Sequence, residues 1–554
     1  MKPIRSIALF AGFLAVLLSG VCVSAVAEPT RAAAEKDPVL KAMLEELDRS
    51  QSHLQLPGLA KPFFIQYRIE DVDGFTTKAA FGASLQAQRA HQRIAFISVR
   101  VGDNKTDSSG GRGDSAIELA ALDGDPIAIR SALWAGTDQA YKAALKAYAQ
   151  KQAALKQVET PPQADDFSRE KPLISLAAPL SLNLDETAWA ERVARSSGLY
   201  RTSAEVKASQ RDVQYSFAQF QARATATWLV NSEGAIVRKA AARYEESFVV
   251  GTQAADGMRL ERSYSTTGNS LEDLDSPPAF DQRAVALIAS LTDLRKAPLV
   301  EDEYHGPVLL SADTSTSILA GLLAGAVTAS RPPLGTEART NGPFASSFHA
   351  RVLPEFLDVV DDPGLKSYQG KGLLGAYDVD DEGVPARAVK VITEGKLESY
   401  LIGREPVRDF PQSNGHGRAG VASEPRPAVG VLKVTAKNGL TDEELNRKLL
   451  ELGHDRGLAS VYSVETLGGK LSPRLLYRVS PDGKRELVRG AALDDLDQRA
   501  LRSNVEAAGK ELFVLNISGD VPATVLAPAL LVDDVTVKRA NEKNDKLPFY
   551  PPPE

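Results

Sequence analysis

The chain holds 554 residues, with 65 Lys and Arg against 72 Asp and Glu, a formal net charge of −7. That length exceeds one ordinary domain of roughly 100 to 200 residues, and a composition 43% apolar and 25% charged is that of a globular protein with a buried core. An acidic balance without a concentrated Lys/Arg block argues against nucleic acid as a partner, because phosphate binding depends on clustered cations. At the N-terminus, Lys2 and Arg5, an apolar run over residues 7–18 and then Ala25-Val26-Ala27 form the pattern of an export signal. Cleavage after Ala27 is expected, giving a mature chain that begins at Glu28 in the periplasm or outside the cell. The single cysteine, Cys22, leaves with the signal, which removes disulfides and thiolate metal sites from the mature chain. Membrane contact is expected only if the signal stays uncleaved, since residues 6–27 reach the ~20 needed to span a bilayer.

Asp37 before Pro38 pairs a capping side chain with a residue preset for the first helical turn. Val39, Leu40, Met43, Leu44 and Leu47 follow at helical spacing. After Pro57 and Pro62 the period changes to two, predicting strands over 64–72 and 94–101; in the second, Ala95, Ile97, Val99 and Val101 share a face. The glycine-rich stretch 102–114 includes Arg112-Gly113-Asp114 but no Gly-Lys-Ser/Thr, so a hairpin connection is expected rather than a phosphate loop or an adhesion motif. A long helix is predicted over 127–156, closed by Pro161 and Pro162, and a second over 186–199. Strands at 213–220 and 225–230 lead into Asn231-Ser232-Glu233-Gly234, a turn that joins the next strand near Ile236. Residues 244–250 and 258–264 continue the sheet, and a helix over 278–294 precedes the acidic connection Glu301-Asp302-Glu303. Beyond it, short apolar strands alternate with Gly, Asp and Pro turns from 306 to 534, with helices at 314–327 and 442–454. The expected class is α+β: signal 1–27, a mixed sheet-and-helix domain 28–300, a β-rich domain 301–537 and a solvated Pro-rich tail 538–554.

Chemistry is sparse in these patterns. The histidines His53, His91, His305, His349, His416 and His454 are scattered, so no local His-x-x-His or His-Glu-x-x-His element exists. There is no Gly-x-Ser-x-Gly elbow and no nucleotide-binding glycine pattern after a strand. Asp361-Asp362, Asp380-Asp381-Glu382 and Asp494-Asp495 offer paired carboxylates of the kind glycosidases use, but adjacent acids in turns are expected to face solvent. Ser413-Asn414-Gly415-His416-Gly417-Arg418 stands apart. Asn414, Gly415, His416 and Arg418 together offer donors that suit a peptide carbonyl or carboxylate. The competing reading is a tight loop turned by Asn414 and Gly415, with His416 packed inside.

Several short motifs recur in a definite order: Asn231-Ser232-Glu233-Gly234, Asp256-Gly257 with Arg262 and Tyr264, and Gly306-Pro307-Val308-Leu309. They continue as Val360-Asp361-Asp362-Pro363, Asp381-Glu382-Gly383-Val384, Glu394-Gly395-Lys396-Leu397 and the segment 413–418. In this order the chain resembles, over about residues 228–537, the TldD/PmbA family of metallopeptidase homologues, once described as modulators of DNA gyrase. The motif positions carried over are Asn231, Gly234, Asp361, Asp362, Asp381, Glu382 and Gly383. In that family the TldD-type subunit bears a His-Glu-x-x-x-His helix after the Gly-Pro-Val strand, and a later cysteine completes its zinc site. Counted from Gly306-Pro307, the helix falls here on Ala320-Gly321-Leu322-Leu323-Ala324-Gly325, which lacks both histidines and the glutamate. The chain therefore looks like the PmbA-type subunit, which works beside a zinc-bearing TldD-type homologue on unfolded peptides. The resemblance implies no catalytic residue, metal ligand or cofactor in this chain, with zinc only in the partner. The small residues Ala320, Gly321, Ala324 and Gly325 read as room for the close approach of a neighbouring element. The alternative is a stand-alone envelope protein that binds peptide or protein without catalysis; a third reading is an independent hydrolase using the carboxylates or His416.

Overall fold

The computed structural model describes residues 29–110, 115–159 and 164–540. The export segment with Cys22, the Arg112-Gly113-Asp114 triplet, Pro161, Pro162 and the final prolines lie outside the described residues. Among the described residues no helix is long and apolar enough to cross a membrane.

In the first half, two 19-residue strands, Pro62–Ala80 and Ala83–Val101, form an antiparallel hairpin. The hairpin lies within a seven-stranded sheet. Ser115–Leu119 forms one edge beside Ala83–Val101, while Tyr215–Asn231 pairs with Pro62–Ala80 and then with Ile236–Gln253. Ile174–Leu176 and Arg259–Gly268 both pair with Ile236–Gln253. The strands predicted at 213–220 and 225–230 are one continuous strand, paired without a break from Tyr215 opposite Gly251 to Val230 opposite Ile236. Its small and polar middle looks like an interruption in sequence, but neighbours on both sides satisfy its backbone.

Alternation along these strands creates two different faces. One carries Ile65, Tyr67, Ile97 and Val99, buried under the helices Pro38–His53 and Pro126–Leu155. Farther along the same face, Phe75, Phe220 and Phe248 pack with Val193 of Glu186–Ser197 and with Phe280 and Ile288 of Pro277–Lys296. The opposite face, with Phe64, Gln66, Arg68, Phe96 and Arg100, meets the second half of the chain.

The first helix is tied down by the cap read from sequence. Asp37 Oδ1 accepts from the backbone N–H of Val39 and Leu40 at 2.9 and 3.2 Å, and Oδ2 accepts from Trp228 Nε1 and Arg238 Nη1 at 2.9 and 2.7 Å. Asp37→Ala is expected to destabilise the protein by about 2–3 kcal/mol, joining the loss of a cap to the loss of charge-assisted bonds. Denaturant unfolding checks this, and a loss below about 0.5 kcal/mol, the scale of a surface substitution, would reject it.

The second half is built around Ala523–Arg539, a 17-residue strand. It pairs antiparallel with Tyr304–Leu310, Val505–Ile517 and Ala491–Asp494, and parallel with Val431–Ala436. These belong to an eleven-stranded sheet. Pro528, which has no N–H to give a ladder, sits opposite Leu512, where the register with Val505–Ile517 shifts between Ala508 and Leu512. The helix Ala312–Leu323 covers one face through Ile318, Leu319 and Leu323, while Asp442–Asp455 covers the other through Leu445 and Leu449. The first of these helices is shorter than predicted and ends at Leu323. Glu301, Asp302 and Glu303 form the exposed connection between the halves. Lys538 and Arg539, read as the start of a tail, instead belong to the central strand, opposite Ala492 and Ala491.

Gly321 and Gly325 correct another expectation. A Cβ added at either glycine would meet nothing within 4 Å among the described residues, so Gly321 and Gly325 open onto space, whereas Ala320 and Ala324 pack against the core as read.

Candidate functional site

Irregular chain between residues 361 and 430 lies between the second sheet and the free face of the first. At its centre is a cluster of buried acids. Asp361 ends the strand Leu357–Asp361 with its side chain turned inward. Its carboxylate accepts from the N–H of Gly430 at 3.1 Å and of Val431 at 3.2 Å, and lies 3.1 Å from His416 Nε2. Asp380 Oδ1 accepts from the N–H of Glu382 and Val384 at 2.9 and 2.8 Å, and Oδ2 from that of Gly417 at 3.0 Å. Asp381 accepts from the N–H of Ala419 at 2.8 Å and pairs with Lys239 of the first sheet. Glu382 accepts from the N–H of Arg404 at 2.6 Å. A Cβ at Gly403 or Gly417 would come within 2.6 or 2.0 Å of Glu382 Oε2, so glycine at these positions lets the carboxyl lie against the backbone.

The expectation that such acids face solvent fails for Asp361, Asp380, Asp381 and Glu382, all buried, because each finds backbone donors or cations inside. It holds for Asp494 and Asp495, which are exposed. The environments pull neighbouring acids apart. Burial raises Asp380 and Glu382 above the usual carboxylate range, helped by the charge of Asp381 on Asp380 and of Asp380 on Glu382. Burial also works against the charge of Asp381, but Lys239, Arg418 and Arg68 outweigh it and bring Asp381 down to about 2.

Motifs that are distant in sequence meet at this cluster. Asn231 Oδ1 accepts from the N–H of Glu233 and Ala235 at 3.1 and 3.0 Å, closing the turn in which Gly234 takes φ +94°. Gly383, at φ +80°, lies against Ala235 and Leu229, where a Cβ would come within 3.0 and 3.2 Å. Asp362 is half-buried and only caps its own turn, accepting from Gly364 N–H at 3.0 Å.

The segment read as a peptide grip is turned inward. Asn414 donates to Tyr400 O at 2.7 Å and accepts from Ile402 N–H at 2.8 Å, and His416 is fully buried with Nδ1 3.0 Å from Asn414 Oδ1. Gly415, at φ +78°, is pressed against the Pro385 carbonyl, and the Arg418 guanidinium lies 4.0 Å from the Tyr377 ring centroid. The hydrogen-bonding capacity of Asn414 and His416 goes to loop architecture, while Arg418 donates from Nη2 to Pro522 O at 3.4 Å and leaves Nη1 without a partner among the described residues.

Open space appears instead beside this cluster, in a cleft of about 920 Å³ between the halves, lined by Phe64, Phe96, Arg100, Lys151, Arg331 and Arg404 among others. Arg404 is fully buried, its guanidinium 4.8 Å from the Phe64 ring and 3.9 Å from that of Phe167. Arg100 lies 4.2 Å from the Phe167 ring as well. Buried Asp107 pairs with Arg100 and Lys151, and buried Asp166 pairs with Lys151 and Arg331. These residues come from well-separated segments with no motif in common, so no local sequence signal marked them.

Residues 303–539 match the family model described as the PmbA/TldA metallopeptidase C-terminal domain. An 83-residue stretch is 34% identical to a metalloprotease of Methanocaldococcus jannaschii; it covers 15% of this chain and 17% of that protein's length. The fold is similar to that of a Thermotoga maritima protein described as a candidate modulator of a DNA gyrase, with 14% identity and a TM-score of 0.59. That likeness covers 90% of this chain and 99% of the other. TldE from Thermococcus kodakarensis is similar over the same shares, at 14% identity and a TM-score of 0.58. Residues 303–539 thus carry the C-terminal domain of the TldD/PmbA family.

A zinc ion of the TldD type would not fit the stretch 320–325 of this chain. Ala320, Gly321, Leu322, Leu323, Ala324 and Gly325 carry no side-chain donor, and Gly321 and Gly325 are exposed. Among the described residues, no group of three or more His, Cys, Asp or Glu is arranged to hold a metal.

Proposed function

We propose that this chain is the metal-free subunit of a heteromeric TldD/PmbA-type peptidase, exported and active on unfolded peptides beside a zinc-bearing TldD-type homologue. One observation carries the reading: the chain keeps the family fold while the stretch 320–325 offers no ligating atom. Metal chemistry then falls to the partner, and this chain contributes surface that holds peptide.

The sheet supplies such a surface. Ser115–Leu119 is an edge strand with no strand on its outer side among the described residues. Ile117 is opposite Phe96, so the exposed Ile117 and Leu119 extend the face that lines the cleft. An extended peptide added to such an edge draws affinity from main-chain hydrogen bonds and tolerates varied sequence.

Purification from the native envelope tests the assembly. A homologue bearing His-Glu-x-x-x-His is expected to accompany the chain, and the mixture, but not this chain alone, is expected to cleave an unfolded peptide. Recovery of the chain by itself, or an inactive mixture, would reject the subunit role.

A further inference from the structure

We propose that Arg223 and Arg243, side by side on the open face of the first sheet, form a binding site for a carboxylate borne by an acidic side chain of an extended peptide. The choice of a peptide as carrier rests on the function proposed above; the choice of a carboxylate rests on the pair itself.

Register supplies the first argument. Arg223 of Tyr215–Asn231 stands directly opposite Arg243 of Ile236–Gln253, and the same row runs on through Gly74 to Ala90. By alternation all four lie on the face that carries Gln66 and Arg68. Cβ atoms of such a cross-strand pair are about 4.5–5.5 Å apart, and like charges placed there repel. Among the described residues neither arginine has an ion-pair partner, Arg223 makes no hydrogen bond, and Arg243 donates only from Nη1, to Gly519 O at 2.6 Å. Both are half-buried, and unlike the enclosed nitrogens of Arg68 and Arg418, their unpartnered nitrogens keep contact with solvent.

The second argument is space. Beside Arg223 the row offers no side chain at Gly74 and only a methyl group at the exposed Ala90. A Cβ placed on Gly74 would have just two atoms within 4 Å among the described residues, the backbone oxygens of Ala222 and Ala90 at 3.7 and 4.0 Å. The two guanidiniums therefore border an uncovered stretch of sheet.

Charge supplies the third. Burial, with the charges of Arg223 and of buried Arg418, brings Arg243 down to about 10, and Asp520 acts the other way. Asp520 is exposed, close enough for its charge to be felt, yet it forms no ion pair among the described residues. Glu245, two residues along the same strand, accepts from Ser518 Oγ instead. A carboxylate from outside completes what the chain leaves open, because one anion shared by two guanidiniums replaces their repulsion with charge-assisted bonds. Borne on a peptide, it brings a main chain that covers the bare surface over Gly74, whereas a free phosphate satisfies only the cations.

Anisotropy titrations of the full chain with a short fluorescent peptide carrying a central Glu, and with the same peptide carrying Gln there, test the proposal at matched ionic strength. The Glu peptide is expected to bind at least about tenfold more tightly, the scale of one charge-assisted contact. Arg223→Gln is expected to erase that difference, and Asp520→Asn, which removes a competing charge, to widen it. Equal binding of the two peptides, or a preference that survives in Arg223→Gln, would overturn the site while leaving peptide handling intact; failure of both to bind would overturn it outright. Inorganic phosphate is expected to bind more weakly than the Glu peptide, and tighter binding of phosphate would overturn the assignment to a carboxylate. The Glu-Gln comparison uses the unaltered chain and stands even if a variant fails to fold. Co-purification of a zinc-bearing homologue is read separately, so failure here is distinguishable from failure of the subunit role.

Discussion

Asp361→Ala is expected to lower the unfolding free energy by about 3–5 kcal/mol, the scale of removing one member of a buried charged network. The carboxylate is fully buried and serves the N–H groups of Gly430 and Val431 as well as His416 Nε2. Alanine leaves these donors in a dry site, where each pays its desolvation without return. The effect spreads because Gly430 and Val431 lead into Val431–Ala436, which pairs with both Leu357–Asp361 and the central strand. Asp361→Asn retains an oxygen acceptor and is expected to cost less. Urea unfolding checks the pair: the midpoint should move with an unchanged slope for Asn, and an alanine loss below about 1 kcal/mol, that of an ordinary substitution, would reject the role.

Stability is expected to fall as pH rises above the ordinary carboxylate range toward neutrality. Asp380 and Glu382 are raised from 3.8 and 4.5, mainly by burial and further by the charge of Asp381 on the first and of Asp380 on the second, so the folded chain keeps a proton that the unfolded chain has released. Their contribution is fully present below those ordinary values and is lost as pH climbs through the raised ones, with a limiting slope of ~1.4 kcal/mol per pH unit for each proton. Glu246 adds to the same trend, since burial pushes it up to about 7 despite its pairing with Arg192. Asp381 runs oppositely: its contribution is present above 3.8 and is lost only as pH falls through about 2, outside this window. Glu382→Gln is expected to flatten the decline partly, and Glu246→Gln to remove a separate share. Denaturation midpoints across pH 5 to 8 would decide; a Glu382→Gln profile parallel to that of the unaltered protein would refute the assignment.

Local chemistry was the part of this structure legible in sequence. Asp37 with Pro38 announced a helix because cap and first turn are neighbours, and the helix now runs Pro38–His53. The long helix expected over 127–156 appears as Pro126–Leu155, and the Asn231 turn forms as read, since both depend on residues a few positions apart. Burial of the acids was hidden for the opposite reason. Asp380-Asp381-Glu382-Gly383 has the composition of an exposed turn, and what draws it inside is Lys239, Gly417, Ala419 and the Arg404 backbone, all remote in the chain. His416 looked available for the same reason, and Asp361 is what occupies it. Arg404 carried no warning at all: a lone arginine becomes notable only once Phe64 and Phe167 have been brought to it.

Ala523–Arg539 occupies the middle of its sheet while lying late in the chain. Tyr304–Leu310 and Val431–Ala436 flank it on either side and do not pair with each other, so during synthesis both must wait for it. Although domains generally fold from the N-terminal side as they emerge, here the keystone is laid last. Until it arrives, the half-made sheet presents open edges and apolar surface, a template for wrong partners and a natural point for a chaperone to hold.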